Sequence, residues 1–257
     1  MNEKLETPGL VIRERVQKEN NALLTILTAS QGILTATAYG ARKTGATLGA
    51  GTKLFNYTQF TLVDSRGRWK VDAAKPIESF FGLSRSMEAL TAASYFAEVL
   101  YDVCVTGQPD VEVLRLTLNS LYLLMKGKAP IELVKAIFEL RLLSESGFAP
   151  ELDGCAECGT EKTAYFSASD ACLYCERCGE NRADGLFAIS PGVADAMRHI
   201  VSAPMERLFS FSLGEASLAA LAAVCERYLT VQTGRGYDTL NMYHSLMDGA
   251  DNGTDDL

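Results

Sequence analysis

The sequence predicts an α+β protein of more than one domain, with a small β-barrel at its amino-terminal end and a bundle of helices after it. Three observations carry this prediction. Up to Gly82, short β-rich runs alternate with turn signals, and beyond Gly82 apolar residues recur every three or four positions. Five of the seven cysteines fall between Cys155 and Cys178, which indicates a local site inserted into the bundle.

The barrel is predicted from five β-rich runs that start roughly ten residues apart. Turn and loop signals separate them, among them Gln31-Gly32 and the glycine-rich stretch 45–51. An OB-like barrel fits five strands of this spacing, but an SH3-like barrel or an open sheet would show the same pattern. The predicted strands are Leu10–Val16, Leu23–Ala29, Ile33–Tyr39, Lys53–Asp64 and Arg68–Ala73.

Helices follow, because the apolar side chains now repeat at the spacing of one helix face. Stripes over 90–104 and 111–125 predict two consecutive helices, and Pro130 introduces a third over 131–146. The second helix is apolar on all sides, which predicts that it is the central, most buried helix of the bundle. Three further helices are predicted over 191–201, from Gly214 through Leu229, and over 238–247.

These patterns divide the chain into four parts. Residues 1–82 form the barrel domain, residues 83–149 and 186–247 form the helical domain, and residues 150–185 form the cysteine-rich insertion. Residues 248–257 contain four aspartates and little to bury, so we expect a disordered acidic tail. Because no apolar run of about 18 residues and no secretory signal is visible, the expected location is the cytoplasm.

The charge of the chain is split between its two ends. A formal net charge of -8 argues at first against a nucleic-acid partner. Residues 1–82, however, hold 11 Lys and Arg against 7 Asp and Glu, a net charge of +4, and the remaining residues carry -12. A basic module in an acidic protein indicates that the barrel contacts a polyanion and that the rest does not.

Two basic segments of the barrel are candidate contacts to nucleic acid. One is the loop between Tyr39 and Lys53, which has four glycines and no acidic residue, a common composition for following a phosphate backbone. It lacks the GxxxxGK[ST] order of a P-loop, so nucleotide hydrolysis is not indicated. The second is the turn around Arg66. The candidate cations are Arg42, Lys43 and Lys53 in the loop, and Arg66, Arg68 and Lys70 in the turn.

Aromatic residues near these cations have two possible roles. Nucleic-acid bases stack on exposed rings, with a gain of about 1–3 kcal/mol per base. The same rings could instead fill the barrel. We interpret Phe55 and Phe60 as core residues, whereas Tyr57 and Trp69 fit either role.

The clustered cysteines predict a zinc site. Cys155 and Cys158, and again Cys175 and Cys178, form two CxxCG motifs separated by sixteen residues, a spacing typical of tetrahedral zinc sites. Four thiolates leave no open coordination position, so we expect one structural Zn²⁺ bound by these four cysteines. Cys172 also forms a CxxC with Cys175 but lacks the glycine whose φ > 0 the turn needs, so it stays outside the set or acts as a substitute.

Two other interpretations remain open. A redox-active CxxC is disfavoured because no βαβ pattern surrounds the cysteines. A zinc-stabilised adaptor, which would bind proteins through the acidic bundle and no nucleic acid, is the second hypothesis for the function. His199 and His244 lie far apart and no catalytic constellation is visible, so we expect no enzyme activity.

A basic barrel followed by a helical bundle with two CxxCG motifs resembles the RecO family of bacterial recombination mediators and DNA repair proteins. The resemblance spans Pro8 to about Met247 and is most specific over Thr28–Lys43 and at the cysteine segment introduced by Phe148-Ala-Pro150. It implies that the barrel is an OB-fold that binds single-stranded and duplex DNA. It further implies that the protein anneals complementary strands and that, with its partner RecR, it helps to load the recombinase RecA onto strands covered by single-strand-binding protein, without being an enzyme.

The resemblance also implies site residues. Zinc-bearing members of the family have a Gly-Gly pair before the second CxxC, where this chain has Ala171 and Cys172. Because some members lack the cysteines, the metal is expected to serve architecture and not activity. By position, the resemblance places the DNA-binding surface of the family on Arg42, Lys43 and Lys53. It assigns Arg13 and the turn that holds Arg66, Arg68, Trp69 and Lys70 to this surface less directly.

Overall fold

The structure is a computed structural model that describes residues 3–180, 182 and 185–251. Its contacts form two compact units: one contains the residues up to Lys126 together with those from Tyr237, and the other is Gly127–Gly236. The first two helices after the barrel thus belong to the same unit as the barrel, while the four-part division stays a prediction. No described helix is long and apolar enough to cross a membrane.

The first unit contains a closed barrel of five strands in the order β1-β2-β3-β5-β4. Strand β4 pairs back onto β1, and all pairs are antiparallel except β3 with β5. This is the five-stranded barrel of the OB type, and it confirms the predicted fold class. The strands are β1 (Lys4–Gln17), β2 (Asn21–Thr28), β3 (Gly32–Ala38), β4 (Asn56–Asp64) and β5 (Trp69–Ser79).

Strand alternation sorts the side chains of the barrel into a core and an outer face. Leu24, Ile26 and Ala36 lie in the core, and Phe55 and Phe60 are buried as predicted. In β3, Thr35 and Thr37 alternate with the buried Ala36 and are more exposed than it. One outer row crosses four strands through the successive partners Arg15, Leu23, Thr37 and Lys70.

Seven α-helices follow the barrel in the part of the chain that the structure describes. In the first unit, α1 packs against α7, and the ring of Tyr95 in α1 lies 5.8 Å, centre to centre, from the ring of Tyr237, the residue before α7. Helix α7 continues to Asp251, so the first four residues of the expected acidic tail are helical; residues 252–257 lie outside the described residues. The helices are α1 (Met87–Val103), α2 (Val111–Lys126), α3 (Ile131–Glu145), α4 (Glu176–Gly179), α5 (Pro191–Ser202), α6 (Glu215–Thr233) and α7 (Asp238–Asp251).

The second unit is built around α3, which packs against α5 and α6. Ten of its fifteen residues are buried, including Lys135 and Glu139. The prediction that the second helix is the most buried was wrong: α2 leaves Val111 and Tyr122 exposed. The charges of α3 concealed its burial, because the sequence does not show that they pair inside the protein.

A small four-stranded sheet in the second unit carries the cysteines, in the order β6-β8-β7-β9. All of its strands are short, so the sheet depends on its side chains for stability. The strands are β6 (Glu151–Cys155), β7 (Tyr165–Ser167), β8 (Cys172–Tyr174) and β9 (Leu186–Ala188).

Candidate nucleic-acid interface and metal site

Two loops of the barrel meet at one end and enclose a concave surface. The N–H of Gly40 donates to Oδ1 of Asn21 at 3.0 Å, and the N–H of Arg42 donates to the carbonyl of Asn20 at 3.2 Å. These bonds hold the start of the β3–β4 loop against the β1–β2 turn. The barrel-end concavity between them has a volume of about 650 Å³ and is lined by Lys18, Glu19, Asn20, Asn21, Tyr39, Gly40 and Lys43.

An aromatic ring on the border of this concavity has a cation beside it. Tyr39, at the end of β3, is 55% exposed, and Nζ of Lys70 lies 5.5 Å from the centre of its ring. The parallel pairing of β3 with β5 produces this contact, because it places Lys70 opposite Thr37, two residues before Tyr39. The topology thereby brings together two predicted segments that are distant in sequence.

The turn before β5 presents two further cations to solvent. Arg66 and Gly67 have φ values of 60° and 75°, and the N–H of Ser65 donates to the carbonyl of Arg68 at 2.9 Å. A two-residue hairpin loop requires such positive φ values. Within the described residues, no carboxylate forms an ion pair with Arg42, Lys43, Arg66 or Arg68.

Three of the predicted site residues have other partners. Nζ of Lys53 lies 3.2 Å from Oε1 of Glu14, which offsets the charge of Lys53. The guanidinium of Arg13 lies 4.8 Å from the centre of the Tyr101 ring. Trp69 is partly buried and packs against the barrel core. Their contact with DNA stays a prediction.

Sequence reasoning missed Lys18 and did not assign Tyr39 a role. Lys18 lies in the β1–β2 turn with φ 58°, a left-handed conformation that a residue with a side chain rarely adopts. No sequence signal marks it as part of the site, because only the barrel topology brings this turn to the β3–β4 loop. The exposed position of Tyr39 at a strand end could have been suspected from its place beside the basic loop.

The four predicted zinc ligands come together in the second unit. The Sγ atoms of Cys155, Cys158, Cys175 and Cys178 all lie within 4.8 Å of one another, and those of Cys158 and Cys175 are 3.7 Å apart. A tetrahedral site with Zn–S bonds of about 2.3 Å needs sulfur separations of about 3.8 Å, so the four residues fit Zn²⁺. Cys172 is buried in β8 and is not a member of this cluster among the described residues.

Two tight turns position the thiols. The N–H of Gly159 donates to the carbonyl of Cys155, and the N–H of Gly179 donates to that of Cys175, each at 2.8 Å. Gly159 has φ 73°, the left-handed conformation expected after a CxxC. Gly179 does not, so the predicted reason for this glycine was wrong. A Cβ at Gly179 would instead lie 2.4 Å from the Tyr165 ring, and close packing therefore requires glycine there.

The turns also bias the protonation of the thiols. Burial raises the pKa of Cys155, but backbone hydrogen bonds within the two CxxC turns outweigh burial and lower this pKa to about 6. The pKa of Cys178 is raised to about 12 by its hydrogen bond to Cys175, by burial and by its neighbouring thiols. Crowded thiols thus resist a second negative charge, which a bound cation would compensate.

Ala171, the residue before β8, also has a left-handed backbone conformation. Ala171 has φ 55°, and its carbonyl accepts a hydrogen bond from the N–H of Glu151 at 2.8 Å. This is the first position of the Gly-Gly pair that the resemblance implies for zinc-bearing relatives. The backbone therefore adopts a conformation that favours glycine, although the chain has alanine there.

Comparison with known proteins gives matches along most of the chain. The family described as Recombination protein O N terminal matches residues 1–80, and Recombination protein O C terminal matches residues 84–240. A DNA repair protein RecO of Acetivibrio thermocellus is 36% identical, covering 94% of this chain and 97% of its own length. The proteins of the same name from Alkaliphilus metalliredigens and Caldicellulosiruptor bescii are 29% and 31% identical and cover 90% and 81% of this chain. They are aligned over 94% and 85% of their own lengths.

Matches on the barrel and on the helical part together cover nearly the whole chain, as the resemblance predicted. A role in DNA repair and recombination follows from them. The chain belongs to the RecO family of DNA repair proteins.

Proposed function

We propose that this protein is a recombination mediator that binds single-stranded and duplex DNA at one end of its barrel. It anneals complementary strands and, with RecR, assists the loading of RecA onto DNA covered by single-strand-binding protein. It performs no covalent chemistry and acts in the cytoplasm. The observation that carries the DNA site is a group of cations near Tyr39: Lys18 and Lys43 line the same concavity, Arg42 is exposed in the adjoining loop, and the partly buried Lys70 places its Nζ 5.5 Å from the ring centre.

The salt dependence of binding tests the position of the DNA site. Each phosphate that the protein neutralises contributes about -0.7 to the slope of log affinity against log salt on single strands. Reversing two charges, with Arg42→Glu and Lys43→Glu, is therefore expected to weaken binding and make the slope less steep by about 1.4. Lys162→Glu, an exposed change in the second unit, is the matched control. An unchanged slope in the double variant would refute this position.

A strand-annealing assay separates the mediator from the adaptor hypothesis. The mediator is expected to anneal two complementary oligonucleotides without nucleotide cofactors, and the double variant is expected to anneal them more slowly. A protein that neither anneals strands nor shifts DNA in a gel at low salt would be the adaptor. Binding of purified RecR and of single-strand-binding protein, measured by calorimetry, tests the two protein partners directly.

We further propose that Cys155, Cys158, Cys175 and Cys178 bind one structural Zn²⁺. The observation that supports this is that their Sγ atoms all lie within 4.8 Å of one another, close enough to share one tetrahedral ion. When bound, the metal supplies a cross-link between the two CxxC turns. Elemental analysis is expected to give about one zinc per chain; a reactive thiol without stoichiometric metal would favour the CxxC oxidoreductase instead.

A further inference from the structure

We propose that the barrel-end concavity binds one unpaired base of single-stranded DNA, stacked on the ring of Tyr39. This rests on the proposed function and adds to it a distinction between single strands and duplex. Tyr39 exposes 55% of its surface, whereas Phe55 and Phe60 of the barrel are buried. An exposed ring beside cations is the usual platform for a nucleic-acid base.

The surroundings of Tyr39 orient it for this role. Lys70 lies over the ring at 5.5 Å from its centre, which restricts the ring and adds a cation for the phosphate next to a stacked base. The ring also lines the concavity, so part of its surface remains available to a ligand. Hydrogen bonds from Gly40 and Arg42 to the neighbouring turn fix the backbone on the carboxyl side of Tyr39.

The concavity is large enough and polar enough to accept one nucleotide. Its volume of about 650 Å³ lies within the range of clefts that bind small ligands. Oδ1 of Asn21 accepts the N–H of Gly40, which leaves the amide nitrogen of Asn21 as a donor for a base carbonyl. Two lysines, Lys18 and Lys43, outweigh Glu19 in charge around the rim.

Single strands and duplexes differ at such a site. A base within a duplex stacks on its neighbours and cannot reach a protein ring without being extruded, whereas a base in a single strand can. Phosphate contacts from the surrounding cations remain possible with both forms of DNA. The concavity therefore favours single strands, while the cations alone account for duplex binding.

Affinity measurements on the full chain test this subsite. Fluorescence anisotropy would compare a labelled single strand with a duplex of equal length for wild type, Tyr39→Ala and Tyr39→Phe. Tyr39→Ala is expected to weaken single-strand binding about tenfold and duplex binding by no more than about twofold, since one stack is lost. Tyr39→Phe keeps the ring and is expected to bind as wild type does.

Tyr122→Ala is the matched control. Tyr122 is also exposed and also has a lysine over its ring, Lys126 at 5.8 Å, but it lies on α2 and does not line the concavity. Its truncation is expected to change neither affinity. A single strand that contains 2-aminopurine supplies a second readout, because stacking on Tyr39 is expected to quench its fluorescence with wild type and not with Tyr39→Ala.

Three results would overturn the subsite: equal losses for single strand and duplex, Tyr39→Phe behaving as Tyr39→Ala, or no quenching at any 2-aminopurine position with wild type. Thermal midpoints of the variants check folding, which an exposed ring is not expected to affect. If Arg42→Glu with Lys43→Glu weakens binding and Tyr39→Ala does not, the subsite fails and the proposed DNA site stands. If the charge variant binds unchanged, the proposed site itself fails.

Discussion

Single residues with left-handed backbone show where this chain tolerates strain. Lys18 and Ala171 have φ values of 58° and 55°, in a conformation that costs a residue with a Cβ roughly 1 kcal/mol. Lys18 borders the barrel-end concavity and Ala171 precedes the strand that leads to the second CxxC. Strained residues often lie at functional sites, where surrounding structure holds them. We therefore expect substitution of Ala171 to change stability alone, and substitution of Lys18 to change both stability and DNA binding.

At Ala171, glycine is expected to stabilise the fold. Ala171→Gly removes the Cβ from a left-handed position and is expected to raise the free energy of unfolding by about 0.5–1 kcal/mol, measured by denaturant titration. Ala188→Gly is the control, because Ala188 is an exposed residue of β9 without positive φ. Ala188→Gly is expected to lower the free energy of unfolding. If both substitutions changed it equally, the left-handed backbone at Ala171 would not be strained.

Replacing Lys18 with glycine is expected to stabilise the fold and to weaken DNA binding. Lys18→Gly and Lys18→Ala both remove a positive charge, and both are expected to reduce the salt slope of DNA binding by about 0.7. Only Lys18→Gly relieves the left-handed backbone, so only it is expected to raise the thermal midpoint. If Lys18→Ala stabilised the protein as much as Lys18→Gly, backbone strain would not be the cause.

At the scale of elements, α3 and α6 are joined by a set of charges in which Lys135 and Glu139 are buried and Glu226 is partly buried. Nζ of Lys135 lies 2.9 Å from Oε1 of Glu139 and 2.6 Å from Oε2 of Glu226. Burial by itself lowers the pKa of Lys135, but the two carboxylates outweigh it and the pKa is raised. A raised pKa means that this interaction stabilises the fold at neutral pH and is lost only as pH rises above about 10.5 through the folded-state pKa.

Removing Lys135 alone is expected to lower the free energy of unfolding more than removing Lys135 and Glu139 together. Lys135→Met leaves the buried Glu139 without its cation and is expected to lower the free energy of unfolding by about 3–5 kcal/mol. Lys135→Met combined with Glu139→Leu removes both charges and is expected to lower the free energy of unfolding clearly less than Lys135→Met alone does. Denaturant titrations of the three proteins form the comparison. A double variant less stable than Lys135→Met would contradict the prediction.

The same elements show what the sequence could predict. Periodicity located all five barrel strands and the six longer helices, because burial of one face leaves a repeating pattern. It wrongly predicted α2 as the most buried helix, because the sequence does not show that Lys135 and Glu139 of α3 pair inside the protein. The CxxCG spacing found the thiol cluster because that site is local. The contact of Lys70 with Tyr39 depends on a parallel pairing between distant strands, which no local pattern encodes.

At the scale of the whole molecule, the two candidate sites lie in different compact units. The cations and Tyr39 belong to the first unit, and the four clustered cysteines belong to the second. The net charge of the chain conceals this arrangement, because the acidic second part outweighs the basic barrel in the sum. Substitutions of the cations or Tyr39 are therefore expected to change DNA affinity, and substitutions of the four cysteines are expected to change metal affinity.

Zinc affinity is expected to rise with pH between 6 and 8. Binding needs thiolates: Cys155, with a pKa lowered to about 6, has lost its proton above pH 6, while Cys178, with a pKa raised to about 12, must release one to the solvent when the metal binds. Competition with a chromogenic chelator at several pH values measures the affinity. A constant affinity over this range would mean that binding releases no protons.

Removal of the metal is expected to separate stability from DNA binding. With the zinc chelated, or with Cys158→Ser and Cys178→Ser, the second unit loses the cross-link between its two CxxC turns, so its thermal midpoint is expected to fall by several degrees. At temperatures below that transition, affinity for single strands and its salt slope are expected to stay within about twofold of the untreated protein, because the proposed contacts lie in the first unit. Cys104→Ser, outside the cluster, is the matched control for loss of a thiol. Loss of DNA binding together with the metal, while the protein is still folded by circular dichroism, would show that the zinc unit itself contacts DNA.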